Sequence, residues 1–196
     1  LDQIDAEVQA QQNLTIIKGM VALKRQKLGV KYNLFTAKVV EVLRANYPGF
    51  TAMSDEQLND LVASVDVMGE ESRGLMKKLG EYCAGCGWCC SQTSKIVVTK
   101  ADVERISRSL KQKTEDIFKF DGKEYTIKQG HPCQWWNSRN GRCAIYNIRP
   151  SVCRTWPLAI NEKGQKLLHS NAECAYAVLV LADKVMRHLR SAAAAP

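Results

Sequence analysis

Four of the chain's eight cysteines stand within one run of eight residues, Cys83-Ala-Gly-Cys86-Gly-Trp-Cys89-Cys90. Two successive CxxC steps put three thiols on one tight loop whose backbone N–H groups face the sulfurs, an arrangement that ligates iron-sulfur clusters. The other four, Cys133, Cys143, Cys153 and Cys174, are spread through the C-terminal half with nine, nine and twenty residues between them. Eight thiols divide naturally into two sites of four. Cys83, Cys86 and Cys89 offer three corners of a cubane and leave its fourth iron to a remote thiolate. Side chains of adjacent residues are expected to diverge, which assigns Cys90 to a second site with most of the distal cysteines. Spacing does not say which distal cysteine completes the first.

The neighbours of the cysteines fit such a site. All four tryptophans lie beside them in sequence: Trp88 before Cys89, Trp135 and Trp136 after Cys133, Trp156 after Cys153. Apolar walls keep water from cluster sulfurs and tune potential, although ordinary core packing explains the same residues. Pro132, Pro150 and Pro157 would stiffen irregular loops. Arg149 and Arg154 flank Cys153, where either could offset cluster charge or simply make a solvated ion pair. Of the three histidines only His131 stands close to a cysteine, and none has the spacing of a base or a ligand pair.

Charge follows the cysteines. The net charge is +8, and the stretch from Cys83 to Cys174 holds 15 Lys or Arg against 8 Asp or Glu. A 4Fe-4S cluster with four thiolates carries about two negative charges, so two clusters would offset roughly half of that surplus of seven. No recognition motif accompanies the basic residues, so nucleic acid is not the expected partner. No stretch approaches a membrane span, and the first residues have neither the basic nor the apolar region of an export signal. CxxC pairs without export signals indicate metal in a reducing, cytoplasmic setting.

These residues must be positioned by an α+β fold: a helical N-terminal extension over residues 1–80, then a small irregular cysteine-rich domain over 81–196 with short strands and a C-terminal helix. Ile4, Val8, Leu14, Ile17, Val21 and Leu28 recur at helical spacing up to Gly29. A second helix fits Asn33 to Asn46, ending at Pro48-Gly49. Ser54 with Gln57 forms a capping box before Leu58, Leu61, Val62 and Val65, and a further helix runs from Glu70 to Leu79 with its stop at Gly80. Lys95 to Thr99 reads as a strand, and Thr99 with Asp102 caps a helix through Val103, Ile106 and Leu110. Strands are expected at Glu124 to Lys128 and in a hairpin of Gln134 to Trp136 with Arg142 to Tyr146, which draws Cys133 and Cys143 together. Val178, Leu181, Val185 and Leu189 mark a final helix from Glu173 to Arg190 with Cys174 in its first turn.

The run CAGCGWCC, with Cys133-Gln-Trp, Cys143-Ala-Ile-Tyr146-Asn-Ile-Arg149-Pro150 and Cys153-Arg154-Thr-Trp-Pro157, resembles the CxxCxxCC cysteine-cluster family, also called YkgJ-like, over about residues 82 to 175. The family is described as a zinc- or iron-chelating domain, and it includes proteins described as iron-sulfur oxidoreductases and a flagellin lysine methylase. The resemblance implies metal ligation by the matching cysteines more firmly than any reaction. No catalytic residue is assigned: the cysteine spacing is not the C-x3-C-x2-C of radical enzymes that use S-adenosylmethionine, and no nucleotide-binding glycine loop is complete. The expectation is an iron-sulfur protein with one or two 4Fe-4S clusters. It would move electrons for a protein partner or a larger redox complex, as a non-catalytic subunit of an oxidoreductase. A structural zinc or iron module, or an accessory to protein methylation, is the alternative.

Overall fold

The computed structural model describes residues 2–68, 80, 82–160 and 166–194. It is an α+β protein with helices at both ends of the chain and three small antiparallel sheets between them. Helix α1 (Asp2–Leu28) ends where Gly29 takes φ 53, a backbone state that only glycine adopts without strain. Helix α2 (Val30–Asn46) follows at once, and a 3-10 turn (Pro48–Ala52) leads to α3 (Asp55–Val67). The expected Ser54–Gln57 capping box is present in both directions. The helix expected from Glu70 to Leu79 lies outside the described residues. Gly80, its expected stop, is itself helical.

The long C-terminal helix, numbered α8 below (Ala175–Ala193), packs against α2 and α3. Tyr32, Phe35, Val39 and Leu43 of α2, Leu58, Val62 and Val65 of α3, and Val180, Leu181 and Val185 of α8 form its fully or nearly fully buried core. The N-terminal stripe is realised only in part. Ile17, Val21 and Leu28 reach this core, whereas Val8 and Leu14 are exposed, because only the C-terminal part of α1 lies against its neighbours.

Contact between α1 and α3 is fixed by charge. The side chain of Asp66 is fully buried, receives Lys24 Nζ at 2.5 Å and accepts a hydrogen bond from the Tyr32 hydroxyl at 2.7 Å. Burial, with the Asp66 charge behind it, pushes the Tyr32 phenol far above its ordinary range. On the surface, Arg25 pairs with Asp60 at 2.8 Å.

The middle of the chain builds a second core. Beyond α4 (Trp88–Gln92), β1 (Val97–Val98) leads into α5 (Lys100–Leu110), whose Thr99–Asp102 capping box is formed as expected. A one-turn helix, α6 (Thr114–Ile117), precedes β2 (Phe118–Phe120), and β3 (Tyr125–Ile127) pairs with both strands to give the order β1-β3-β2. Val98, Val103, Ile106, Ile117, Phe118, Ile127 and Ile145 are buried together with Cys133. The hairpin of β4 (Trp136–Asn137) and β5 (Arg142–Cys143) sets Trp136 opposite Cys143. After α7 (Ser151–Thr155), β6 (Leu158–Ile160) pairs with β7 (Lys166–Leu168), a hairpin with no signal in the sequence reading.

The two cores meet at the cysteines. Cys174 is buried in the helical core with Cys83 against it, while Cys133 is buried in the second with Cys90 and Cys143 against it. Tyr32→Phe should lower stability by about 1 to 3 kcal/mol, because it takes a donor from a buried carboxylate whose Oδ1 already has no partner. Denaturant unfolding at neutral pH measures this, and an unchanged midpoint would contradict it.

Candidate metal centre

The CxxCxxCC run is not a loop. Residues 82–86 form a helical turn, Gly87 reverses the chain at φ 64, and α4 begins at Trp88. Cys83 and Cys86 therefore lie on one short helical piece, and Cys89 and Cys90 on the first turn of the next. A Cβ on Gly87 would meet Gly141 O at 2.4 Å and Trp136 Nε1 at 2.6 Å, so the position admits neither another backbone state nor a side chain. Gly141 has φ 70 in the β4–β5 turn, and a Cβ there would stand 3.0 Å from Gly85 O. Two glycines thus let the hairpin tip lie backbone to backbone on the cysteine turn.

That contact gathers the thiols. Cys133 N donates to Cys90 O at 2.8 Å, and Ala144 N donates to Trp135 O at 2.7 Å, which ties β5 and Cys143 to the segment of Cys133. Cys153 lies on α7, and Cys174 is the N-cap of α8, its sulfur accepting from Ala177 N at 3.4 Å. All eight cysteines are free thiols, with Cys86 exposed and Cys133 and Cys174 buried. Among the described residues no three His, Cys, Asp or Glu side chains approach as closely as one metal ion requires. His131 is exposed, and His169 packs on the Trp156 ring.

The electrostatics group the thiols. Burial pushes Cys83 up to about 11, and its thiol neighbours are Cys89, Cys174 and Cys86. Burial pushes Cys153 up to about 12, with Cys89, Cys133 and Cys143 acting on it. Cys133, Cys143 and Cys174 are also raised by burial, each opposed by backbone N–H groups turned toward its sulfur. Cys89 and Cys90 do not diverge as expected. Their thiols hydrogen-bond to each other, which draws Cys89 down to about 7 and pushes Cys90 far up. Both stand on the first turn of one helix.

A buried carboxylate holds the segment of Cys153 in place, a role that the sequence did not reveal. Asp102 accepts from Ser151 N at 3.1 Å and from Ser151 Oγ at 2.8 Å, and pairs with Arg105 at 2.5 Å. Arg105 in turn donates to Ile148 O at 2.6 Å and Arg149 O at 3.1 Å. The capping box disclosed Asp102 as a helix cap only. Its second task depends on a residue 49 positions away, which no local pattern signals.

The donor set suits a thiolate-bound metal centre. Nε1 of both Trp136 and Trp156 is buried without a hydrogen-bond partner at normal distance. The first faces Gly87, between the two cysteine turns, and the second acts on the Cys174 sulfur. The unpaired buried donor of Trp136 fits an anionic occupant.

Residues 82–175 match the model of the CxxCxxCC family. Its description reads "Putative zinc- or iron-chelating domain". Among curated proteins, the chain is 30% identical over 92 residues to an uncharacterized protein of Methanocaldococcus jannaschii, covering 44% of this chain and 49% of that one. The chain thus spans about half the length of that relative. No solved structure matches.

Within residues 82–175, the clamp has a testable pH signature. Burial pushes the Asp102 carboxyl up, but the Ser151 and Arg105 hydrogen bonds outweigh it and hold the group below the ordinary carboxylate range. A carboxyl lowered by folding stabilises the native state above its unfolded pKa of about 4, and that contribution fades as pH falls through the folded value. Asp102→Asn should therefore cost roughly 2 to 3 kcal/mol at pH 7. Urea unfolding should find the gap between the two proteins narrowing below about pH 4; a gap independent of pH would exclude the charged clamp.

Proposed function

We propose that the CxxCxxCC domain holds two 4Fe-4S clusters, one on Cys83, Cys86, Cys89 and Cys174 and one on Cys90, Cys133, Cys143 and Cys153, and that it exchanges electrons with a protein partner. What supports this reading is that eight free thiols are present and that Cys83 packs with Cys174 in the helical core while Cys90 and Cys143 pack with Cys133 in the second. Cys174 is the distal thiol that acts on Cys83, and it shares the helical core with it. Cys90 is tied through its backbone to Cys133, and its other thiol neighbours are Cys133 and Cys143. Clusters bound there would take up and release single electrons.

The chain's own residues support that role in three ways. Backbone N–H groups turned toward Cys133, Cys143 and Cys174 offset part of the burial that raises these thiols. The tryptophans limit water near the sulfurs, while exposed Cys86 gives the first set an edge that a partner can approach. Exposed apolar side chains along α1, among them Ile16, Met20 and Leu23, offer surface for docking. A reducing compartment suits eight free thiols. The family description equally names zinc, and a structural zinc module is the outcome that would replace this reading.

Protein purified without oxygen should be brown and contain roughly eight irons matched by acid-labile sulfide per chain, from two four-iron clusters. Stoichiometric zinc without sulfide would exclude the proposal. Serine substitutions then test the partition. Cys86→Ser and Cys174→Ser should remove one and the same electron paramagnetic resonance signal, and Cys90→Ser and Cys133→Ser the other. Loss of the same signal in Cys174→Ser and Cys133→Ser would mean that the distal ligands are assigned wrongly.

A further inference from the structure

Helix α1 carries apolar side chains along two lines. Ile17, Val21 and Leu28 reach the helical core, whereas Ile16, Met20 and Leu23 stand about a third of a turn away from them and are 60%, 45% and 66% exposed. Spacings of four and three residues join the second group into one continuous stripe. Polar residues bound it at both ends. Toward the N-terminus the same line runs through Asn13 and Gln9, whose Nε2 donates to Asn13 Oδ1 at 3.2 Å, and toward Gly29 it runs through exposed Lys27. An apolar centre inside a polar rim is the anatomy of a contact surface. Beside Met20, a Cβ added at Gly19 would meet nothing within 4 Å, so a second helix can approach closely there.

We infer that this stripe is the interface of a homodimer in which α1 packs antiparallel on α1 of a second copy of the chain. The inference names the partner that the apolar surface of α1 receives, and it is independent of the metal that the cysteines bind. The spacing of the stripe is its own mirror image, as a two-fold interface requires. Turned end for end about the point between Gly19 and Met20, Ile16 falls opposite Leu23, and Met20 falls opposite Gly19, a long side chain over a residue that has none. Charge sets the direction. The acidic residues of α1, Asp2, Asp5 and Glu7, all precede Val8, and its basic residues, Lys18, Lys24, Arg25 and Lys27, all follow Ile17. Lys24 and Arg25 are engaged with Asp66 and Asp60, but Lys18 and Lys27 are exposed and pair with no carboxylate among the described residues. An antiparallel pair turns each acidic end toward the partner's basic end, where Lys27 and, just past the Gly29 turn, exposed Lys31 stand, whereas a parallel pair sets like charge beside like. The helix dipoles favour the same arrangement.

Sedimentation equilibrium of the full chain under reducing conditions, which exclude intermolecular disulfides, tests this. The parent should form a dimer that dissociates on dilution. Met20→Lys places like charges close to the two-fold centre and should weaken the dimer about a hundredfold. Leu34→Lys, at an exposed apolar position on α2, should leave it unchanged. Lys27→Glu should weaken the dimer roughly threefold at about 50 mM salt and less at higher salt. A parent that stays monomeric up to about 0.5 mM, where even a weak pair is populated, overturns the inference, whether or not another protein then binds α1. A dimer untouched by Met20→Lys lies elsewhere and overturns it too, and unchanged affinity in Lys27→Glu excludes the antiparallel arrangement. If Met20→Lys loses its helical circular dichroism, Leu23→Lys, at the most exposed position of the stripe, decides instead: a dimer as tight as the parent's sinks the inference. Metal and sulfide content of the same samples reports on the cysteines separately, so either reading can fail without the other.

Discussion

Gathering eight thiols at the meeting of two cores is the constraint to which the rest of the molecule answers. Each thiol raised by burial resists ionisation, and each thiolate formed repels the next, so a protein that needs them ionised must bring positive charge and hydrogen-bond donors to the same place. Backbone N–H groups aimed at Cys133, Cys143 and Cys174, the Arg149 guanidinium, and two buried indole N–H groups without other partners all serve that need. The surplus of basic residues between Cys83 and Cys174 is mostly a surface property by comparison. Among the described residues, half-buried Arg149 favours the thiolate at both Cys83 and Cys153.

How the two cores meet follows from the same requirement. Cys174 caps the helix that packs on the N-terminal bundle, which brings a thiol from the far end of the chain into the core against which Cys83 packs. Cys143 and Cys153 are carried by the β4–β5 hairpin and by α7, which α5 grips through Asp102 and Arg105. Between them lies the Gly87–Gly141 contact, where absence of side chains on both sides permits backbone approach. The N-terminal helices and the cysteine region are therefore joined through α8, and the bundle bears directly on where Cys83 and Cys174 stand.

Much of this was legible in the sequence, for physical reasons that differ by element. Capping boxes at Ser54 and Thr99 are local interactions, and both formed as read. Gly29 stopped α1 as expected. The hairpin expected of Gln134 to Trp136 with Arg142 to Tyr146 formed, with its strands limited to Trp136–Asn137 and Arg142–Cys143. What failed was non-local or depended on rotamers: Val8 and Leu14 keep the helical period but find no neighbour, and Cys89 and Cys90 meet instead of diverging. The Asp102–Ser151 bond spans 49 residues and leaves no periodic trace. Gly87 and Gly141 suit their positive φ, but the approach of the hairpin tip to the cysteine turn that they also permit leaves no local pattern.

The ligand-bearing pieces themselves are weakly held by apolar contact. Helices α4 and α7, which carry Cys89, Cys90 and Cys153, have five residues each and bury none of them fully. Helices that short are marginal in water even with good propensity, so their shape must be imposed from outside. For α7 the source is the Asp102 carboxylate at its first residue, Ser151. For α4 it is the left-handed Gly87 before it and the Cys133 amide bonded to its Cys90 carbonyl. These are a few directional bonds rather than a packed surface, and thiols on such pieces can shift by side-chain rotation without disturbing either core. A bound metal would add the missing cross-links between Cys83, Cys174 and the second core, coupling metal affinity to the order of the cysteine region more than to the helical bundle.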